Sequence, residues 1–312
     1  MKFNKPKFWQ YKKANWISKL LTPLTLPVRI NNFLINNKKI KINENIKSIC
    51  VGNIYVGGTG KTPLTIELYK IINSLKYKVS IIKKYYKDQK DEQLILKKKT
   101  KLILCNSRIE GINQAVKLNN DVAIFDDGLQ DRNIDYNLKI VCFNSKMWVG
   151  NNSIIPSGPL REKLSSLSKY DAVFLNGNEK DSNKHHQTIY KINPKILIFN
   201  CYYKIRNLQY LKKKEKYLIF SGIGNPNSFK QLLLNNKLNV VRQIIFPDHY
   251  EFNKNDIKKI KLVAKELNAK IITTEKDYVK LTEKNKKNIH FLKIELVIKN
   301  KNKLIKLIKS KI

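Results

Sequence analysis

Short apolar runs alternate with helical stretches along the first two thirds of the chain. Apolar residues recur at helical spacing from Leu64 to Leu75, and Pro63 suits the first turn of that helix. Strands that alternate with helices favour a mostly parallel sheet with helices on both faces, so we predict an α/β fold. The apolar runs predicted as strands are residues 46–51, 78–82, 101–105, 122–125, 138–143 and 172–175.

The pattern changes in the last third of the chain. Residues 176–186 are polar, include His185 and His186, and are predicted as a loop. We place a domain boundary near residues 200–212, between a domain over residues 41–205 and a smaller α/β domain over residues 206–312 that contributes to the active-site cleft. In this second part we predict helices at residues 229–234 and 254–267, and strands at residues 196–203, 217–220, 240–245, 271–273 and 289–296.

Residues 1–40 mix aromatic side chains with lysines until Pro23 and Pro27 break the pattern. Such a mixture is typical of a helix that lies on an anionic membrane, and a helix docked on its own domain is the equal alternative. No apolar stretch reaches the ~18–20 residues of a spanning helix, and we expect no signal peptide. The residues of this pattern are Phe8, Trp9, Tyr11, Trp16, Ile17, Leu20 and Leu21, with Lys5, Lys7, Lys12, Lys13 and Lys19.

Composition adds a strong positive charge to this picture. The chain has 62 Lys and Arg residues against 24 Asp and Glu residues, a formal net charge of +38. Nearly all of it is lysine, and the abundant Asn and Ile beside it indicate the nucleotide bias of an AT-rich genome. Such a field would still attract anionic membranes, anionic substrates or nucleic acid, so charge alone does not choose a partner. The cysteines form no CxxC pair and are predicted to be buried thiols in a reducing cytoplasm.

A glycine-rich loop follows the first predicted strand and opens the first long helix. It runs Tyr55-Val56-Gly57-Gly58-Thr59-Gly60-Lys61-Thr62. Glycines let backbone N–H groups turn toward phosphate oxygens, and a helix N-terminus favours the same negative charge. In a phosphate-binding loop, Lys61 would reach the β- and γ-phosphates and the Thr62 hydroxyl would ligate Mg²⁺. We predict a P-loop NTPase-like core that binds ATP and magnesium; an ordinary glycine-rich turn is the alternative.

The strand over residues 122–125 ends in two acids, Asp126 and Asp127. This is the Walker B form, in which an acid at the strand end holds Mg²⁺ directly or through water. Many strands end in aspartate, and the pattern gains weight because it follows a phosphate-binding loop. The sequence leaves open which of the two acids touches the metal.

Five short motifs follow one another along the chain. They are residues 51–63 around the glycine-rich loop, Asp126-Asp127-Gly128-Leu129-Gln130, Pro156-Ser157-Gly158-Pro159-Leu160-Arg161-Glu162, Phe246-Pro247-Asp248-His249-Tyr250 and Thr273-Thr274-Glu275-Lys276-Asp277. Together they resemble the signature of the tetraacyldisaccharide 4′-kinase family, the lipid A 4′-kinases. The resemblance keeps the family's order and covers essentially the whole chain.

The resemblance implies a kinase that transfers the γ-phosphate of ATP to the 4′-hydroxyl of tetraacyldisaccharide 1-phosphate and forms lipid IVA. The acceptor hydroxyl needs a base, and the resemblance gives that role to Asp91, with His249 orienting and tuning it. It also implies that Arg161 and Glu162 grip phosphate or metal-linked water. A solvated charge is the alternative for Asp91, and a surface ion pair is the alternative for Arg161 and Glu162.

The chain departs from the family pattern at two places. Tyr55 replaces the first glycine of the phosphate-binding loop. The run Ile82-Lys83-Lys84-Tyr85-Tyr86-Lys87 stands where the family has Ser-Arg-Gly-Tyr-Gly. Lys84 takes the place of the arginine and cannot reproduce a bidentate guanidinium contact, so this departure concerns the geometry near the substrate.

An anionic acceptor with acyl chains has to be met at a membrane. We therefore expect a monomeric, peripheral enzyme on the cytoplasmic face of the inner membrane, with ATP and Mg²⁺ as cofactors and no nucleic-acid partner. One alternative is a P-loop switch or partitioning ATPase at an anionic surface, which leaves Asp91 with His249 unexplained. The other is a basic nucleic-acid-binding protein, which the charge supports although no recognition module is found.

Overall fold

The structure is a computed structural model that describes residues 6–34, 40–41, 46–131 and 134–312. Two parts of the predicted membrane-associating segment, residues 1–5 with Lys5 and residues 35–39, lie outside the described residues. No helix in the described ranges is long and apolar enough to cross a membrane.

Strands and helices alternate along most of the described chain. The strands are β1 (Ile40–Lys41), β2 (Lys47–Gly52), β3 (Val79–Lys84), β4 (Leu102–Cys105), β5 (Val122–Asp126), β6 (Ile134–Asp135), β7 (Leu138–Asn144), β8 (Ala172–Asn176), β9 (Leu197–Ile205), β10 (Lys216–Ser221), β11 (Asn239–Ile245), β12 (Lys270–Thr274), β13 (Ile289–Leu292) and β14 (Ile294–Ile298). The α-helices are α1 (Trp16–Leu20), α2 (Leu26–Leu34), α3 (Lys61–Ser74), α4 (Lys90–Lys99), α5 (Arg108–Lys117), α6 (Glu179–Ile192), α7 (Pro226–Asn235), α8 (Lys254–Glu266), α9 (Glu275–Tyr278), α10 (Glu283–Lys286) and α11 (Lys301–Lys311). Short 3-10 helices span Lys7–Gln10, Pro23–Thr25, Lys87–Gln89, Leu164–Lys169 and Leu208–Tyr210.

The larger sheet has eight strands in the order β14-β9-β8-β7-β2-β5-β3-β4. Neighbouring strands from β9 to β4 pair in parallel. Strands β5 and β8 are buried along their whole length, as parallel strands are when both faces of the sheet are covered. Val51 near the end of β2 lies in register with Asp126 at the end of β5. The glycine-rich loop and the paired acids therefore start at the same edge of this sheet.

The smaller sheet has four strands in the order β11-β10-β12-β13, all paired in parallel. Three motif segments begin where three neighbouring strands of this sheet end. They are the turn after Ser221, the segment from Phe246 to Tyr250, and the segment that continues from Thr274. Because the carboxyl ends of parallel strands share one edge, these segments lie together.

The chain forms two compact units, which interleave in sequence. The larger contains the described part of residues 6–85 together with residues 96–202 and 296–312, and the smaller contains residues 86–95 and 203–295. The domain limits at residues 40 and 205 stay predictions.

Most predicted elements are confirmed to within a few residues, namely ten of the strands and the helices that correspond to α3, α7 and α8. The four cysteines are buried and free, as the sequence predicted. The order of strands and helices confirms the α/β fold with its mostly parallel sheet.

Two predicted elements are wrong. The loop over residues 176–186 is in large part the first half of α6, where Asn178 caps the helix by accepting a hydrogen bond from the Asp181 N–H. This helix buries only Ser182 and Ile189, so its sequence is mostly polar and lacks the apolar periodicity that predicts a helix. The strand predicted over residues 289–296 is two strands, β13 in the small sheet and β14 in the large one. Both strands are apolar, so the hydrophobic pattern does not indicate where the chain leaves one sheet and enters the other.

Candidate functional site

The glycine-rich loop connects β2 to α3 in the larger unit. Gly57 and Gly60 have φ values of 100° and 96°, a region that L side chains rarely adopt. Gly60 is the N-cap of α3, so no capping side chain covers the first N–H groups of that helix. Uncovered N–H groups at a helix N-terminus form a binding site for an anion such as phosphate.

Asn53 braces this loop from within, a role that the sequence did not reveal. Its Nδ2 donates to the Gly57 carbonyl at 3.2 Å and to Thr59 Oγ1 at 3.0 Å. Asn53 and Thr59 are both buried. The loop conformation is therefore held by side-chain bonds before any nucleotide arrives.

Tyr55 and Val56 join the loop to the Pro156–Glu162 segment. The Tyr55 side chain lies in the hydrophobic core, and its backbone forms a bridge with Leu160. The Val56 N–H donates to the Pro159 carbonyl at 2.9 Å. Since burial also raises the pKa of Tyr55 to about 12, the residue that replaces the usual glycine is a neutral core side chain. A contact between Tyr55 and the nucleotide remains a prediction, and it would have to come from the main chain.

Asp126 lies at the end of β5 in a buried ion pair with Lys83. The Lys83 Nζ stands 2.6 Å from Asp126 Oδ2, and the two side chains are 3% and 0% exposed. Thr65 Oγ1 lies 3.4 Å from the other carboxylate oxygen. Lys83 belongs to the run that departs from the family pattern, and its contact with a Walker B acid was not predicted from the sequence.

The Asp127 carboxylate forms ion pairs with two cationic side chains. Lys61 Nζ lies 3.6 Å from one of its oxygens, and Arg161 Nη1 lies 3.1 Å from both. Burial raises the pKa of the Asp127 carboxyl, but the charges of Lys61 and Arg161 outweigh it and hold that pKa below its usual value. Arg108 donates to the main-chain carbonyl of Asp127, which has a left-handed φ of 64°. Asp127 is therefore an ionised, fixed carboxylate.

Arg161 and Glu162 are neighbours in sequence but bind different partners. Arg161 reaches Asp127 and also donates to Gln130 Oε1 at 3.1 Å. Glu162 accepts from Gln130 Nε2 at 2.9 Å and from the Tyr170 hydroxyl at 3.0 Å. The Asp126–Gln130 and Pro156–Glu162 motifs thus form one network through Gln130.

Thr62, Asp126 and Asp127 supply the donor types that Mg²⁺ prefers, a hydroxyl and carboxylate oxygens. Among the described residues, no group of three His, Cys, Asp or Glu side chains is arranged as a metal cage. Such a cage is not required, because Mg²⁺ in kinases keeps water and binds phosphates beside one or two protein carboxylates. The residues therefore fit this ion.

Asp91 and His249 form a pair in the smaller unit. Asp91 is in the first turn of α4, its side chain is 1% exposed, and its Oδ1 accepts from the Glu92 N–H at 2.8 Å. His249 Nδ1 lies 2.9 Å from Asp91 Oδ1 and 3.1 Å from Oδ2. The solvated charge that the lysine-rich surroundings allowed for Asp91 is therefore wrong.

The surroundings keep Asp91 ionised although it is buried. Burial raises the pKa of this carboxyl. The hydrogen bond with His249 and the charges of Lys276 and Lys280 lower the pKa by more than burial raises it, so the pKa lies below its usual value. The two lysine Nζ atoms are 3.8 and 3.7 Å from Asp91 Oδ2. Asp91 is thus a carboxylate that can accept a proton at neutral pH.

His249 is held in place by its backbone. Its φ is 57°, and its N–H donates to the Gly222 carbonyl at 3.1 Å. A side chain at Gly222 would come within 2.9 Å of the Pro247 carbonyl oxygen, so the glycine permits this close approach. The turn after β10 therefore positions the imidazole.

A parallel sheet whose phosphate-binding loop lies beside two strand-end acids defines a P-loop NTPase-like fold. LpxK from Aquifex aeolicus, solved in complex with ATP, has this fold: it superposes with a TM-score of 0.69 at 24% identity, over 94% of this chain and 99% of that one. The family described as tetraacyldisaccharide-1-P 4′-kinase (LpxK) matches residues 17–312, and the chain belongs to this family.

Relatives agree with this assignment over nearly their whole length. The tetraacyldisaccharide 4′-kinase of Pelagibacter ubique is 45% identical over 311 residues, which cover 98% of this chain and 99% of that protein. The enzyme of the same name from Rickettsia canadensis is 37% identical, over 96% of this chain and 94% of that protein. The family, the fold class and the kinase class predicted from the sequence are confirmed.

Proposed function

We propose that this chain transfers the γ-phosphate of ATP to the 4′-hydroxyl of tetraacyldisaccharide 1-phosphate, which gives lipid IVA in lipid A biosynthesis. The observation that carries the proposal is the Asp91–His249 pair, in a family member whose larger unit carries a phosphate-binding loop. A nucleotide switch needs the loop but has no use for a buried carboxylate with an imidazole partner.

The loop and the strand-end acids handle the phosphate donor. Backbone N–H groups from Tyr55 to Thr62 hold the phosphates, and the Lys61 ammonium neutralises the β- and γ-phosphates. Thr62, Asp126 and Asp127 would hold Mg²⁺, which would supply stabilisation of the negative charge on the phosphates. When ATP binds, Lys61 exchanges its distant contact with Asp127 for phosphate oxygens.

Asp91 handles the acceptor. The 4′-hydroxyl oxygen forms a bond to the γ-phosphorus, the bond from that phosphorus to the β-bridging oxygen breaks, and ADP leaves with the electron pair. The hydroxyl proton passes to the Asp91 carboxylate. A carboxylate with a lowered pKa is a weak base, but the loose transition state of phosphoryl transfer requires the proton to leave only late. His249 orients Asp91 through its Nδ1 contact.

Arg161 has its role on the phosphate side of the reaction. It faces Asp127 with a guanidinium that is 30% exposed, and this leaves donors for an oxyanion. Glu162 orients Gln130, which in turn holds Arg161. We propose that Arg161 stabilises charge on the transferred phosphoryl group and that Glu162 acts through this network.

The N-terminal segment both docks on the larger unit and exposes apolar side chains. Trp9 is buried and its Nε1 donates to the Pro156 carbonyl at 3.0 Å, while Ser18 bonds with Ser157. Trp16 and Leu20, by contrast, are 72% and 71% exposed, and we propose that these two side chains contact the membrane. Leu24, Leu26 and Ile30 extend this exposed apolar surface.

This surface supports the proposal of a peripheral membrane enzyme; a monomer on the cytoplasmic face of the inner membrane stays a prediction. Lys12, Lys13 and Lys19 are exposed near Trp16 and Leu20 in the sequence, as in segments that lie on anionic lipid. The lipid acceptor would reach the enzyme from that surface.

The direct test incubates the purified protein with labelled ATP, Mg²⁺ and tetraacyldisaccharide 1-phosphate in mixed micelles and identifies the product by mass. We expect one added phosphate at the 4′ position. Asp91→Asn should lower kcat by about 10²–10⁴-fold with ATP binding retained, whereas exposed Asp88→Asn should leave both unchanged. A folded protein that binds ATP but forms no phosphorylated lipid would refute the function, and loss of ATP binding in Asp91→Asn would refute the role of Asp91.

A further inference from the structure

Lys276 lies at the centre of a charge cluster in the smaller unit. Its Nζ is 3.2 Å from Glu92 Oε1, 3.4 Å from Asp248 Oδ1 and 3.8 Å from Asp91 Oδ2. The same Nζ is 3.5 Å from His249 Nε2. The imidazole therefore has the Asp91 carboxylate at Nδ1, and at Nε2 it has the Lys276 ammonium with the Asp248 carboxylate slightly farther away, at 3.8 Å.

The chain fixes Lys276 on a short, well-anchored helix. Thr274 caps α9 by accepting from the Asp277 N–H at 3.1 Å, and it donates to Asp277 Oδ2 at 2.7 Å. Asp277 in turn accepts from the Gly222 N–H at 3.0 Å, in the turn that also holds His249. One anchor thus sets the position of Lys276 and of the imidazole together.

An ammonium has donors only, so it meets a ring nitrogen favourably through the lone pair of that nitrogen. The contact with Lys276 therefore favours a neutral imidazole with its proton on Nδ1, donated to Asp91. We propose that Lys276 is a positioning residue that keeps His249 in this neutral, Nδ1-protonated form and so keeps Asp91 a competent base.

Two carboxylates lie beside the imidazole itself. Asp91 contacts Nδ1 from α4, and Asp248 of the same loop has its Oδ1 3.8 Å from Nε2, whereas Glu92 pairs with Lys276. Lys280 is paired with Asp277 at 2.7 Å and also lies near Asp91. Without Lys276 the imidazole would keep the Asp91 and Asp248 carboxylates beside it and lose the ammonium at Nε2, and this change favours a proton on that nitrogen.

A fixed charge differs from an imidazolium in its response to pH. The neighbouring acids Glu92, Asp248 and Asp91 raise the pKa of Lys276 against the opposing effect of burial, so the lysine remains charged throughout the working range. An unperturbed imidazole changes its charge near pH ~6.5. With Lys276 in place, the charge beside Asp91 is constant near neutral pH.

The test compares full-length wild type with Lys276→Met and uses ¹⁵N-histidine NMR together with the pH dependence of kcat. In wild type we expect the ring of His249 to be neutral with its proton on Nδ1 near neutral pH. In Lys276→Met the NMR titration of the His249 ring should move to higher pH by about one unit or more. The plot of kcat against pH should then show an additional pH-dependent change in that range. Lys276→Arg should restore the wild-type behaviour, and exposed Lys284→Met should not differ from wild type.

This inference rests on the proposed role of Asp91, and the two can fail separately. If Asp91 is not the base, the NMR titration still moves while the kcat profile keeps its shape. If Lys276 has only a structural role, Lys276→Met loses activity equally at every pH and the NMR titration does not move. An imidazolium, or an Nε2-protonated ring, in wild type near neutral pH would overturn the inference.

Discussion

Lys83, Lys276 and Lys280 are three lysines that the fold places next to buried carboxylates. In a chain with 62 basic residues most lysines are solvated, and composition does not distinguish these three from the rest. Lys83 pairs with Asp126, and the other two lie within 3.8 Å of Asp91. The buried carboxylates of Asp91 and Asp126 are therefore each accompanied by specific cations, and the positive charge of the whole protein does not account for these pairs.

Lys83→Met should strongly destabilise the protein. It leaves Asp126 buried without its counter-charge, and breaking a buried ion pair from one side costs about 3–5 kcal/mol of unfolding free energy. Urea unfolding would measure this cost. Lys78→Met, at an exposed position just before β3, should change the free energy by less than ~0.5 kcal/mol.

The double variant Lys83→Met with Asp126→Asn separates the lost pair from the lost packing. Because no unpaired charge remains, we expect it to recover more than half of the lost stability. A single Lys83→Met variant as stable as wild type would show that the pair contributes nothing to the fold.

Asp91 and His249 were predicted as a catalytic residue and its partner from their resemblance to family motifs, but the geometry of their contact could not be predicted. The two residues are 158 positions apart, and only the folding of residues 86–95 into the smaller unit brings them together. No individual role was predicted for Asn53, Lys83 or Lys276, although Asn53 and Lys276 belong to the motifs at residues 51–63 and 273–277. A motif names residue types, whereas their partners depend on where strands and turns meet.

At the scale of elements, the central strands were predictable because their burial leaves unbroken apolar runs such as those of β5 and β8. Helices α4, α5 and α11 were not predicted. Lysines interrupt α4 and α11, and few of their residues are buried, so their periodicity is weak. The hydrophobic pattern along the chain was therefore enough to predict the strands of the sheet, whereas these surface helices became evident only in the three-dimensional structure.

The loop between β2 and α3 gives a prediction at this scale. Asn53→Ala removes two hydrogen bonds that fix the loop, to the Gly57 carbonyl and to Thr59. Each is worth about 0.5–1.5 kcal/mol, so the Kd for ATP should rise by roughly 5–150-fold. Isothermal titration calorimetry would measure it, with exposed Asn73→Ala at the end of α3 as the control.

Unfolding curves decide whether the effect of Asn53→Ala is local. A variant that is folded at the assay temperature and binds ATP as tightly as wild type would mean that the loop does not need this brace. A variant that is unfolded would be replaced by Asn53→Ser, which keeps a smaller polar group.

At the scale of the whole molecule, the net charge of +38 and the exposed N-terminal side chains act on different steps of membrane binding. Charge acts at long range and is screened by salt, with a Debye length of about 10 Å at 0.1 M. Apolar side chains act only after contact, and salt does not screen their transfer into lipid. The expectation that the lysine content reflects the nucleotide bias of an AT-rich genome is compatible with this use of the charge.

The two contributions can be separated with anionic and neutral vesicles. Trp16→Ser with Leu20→Ser removes two side chains that are 72% and 71% exposed and should lower the partition coefficient for anionic vesicles about tenfold or more, since each contributes on the order of 1 kcal/mol or more on burial. The control Leu118→Ser changes a leucine that is 65% exposed at the end of α5 and should bind like wild type.

Added salt should weaken the vesicle binding of wild type and of the double variant by the same factor, because both proteins keep their lysines. Equal binding of the double variant and wild type would locate the lipid-binding surface elsewhere on the protein, and loss of binding in Leu118→Ser would show that apolar exposure anywhere is enough.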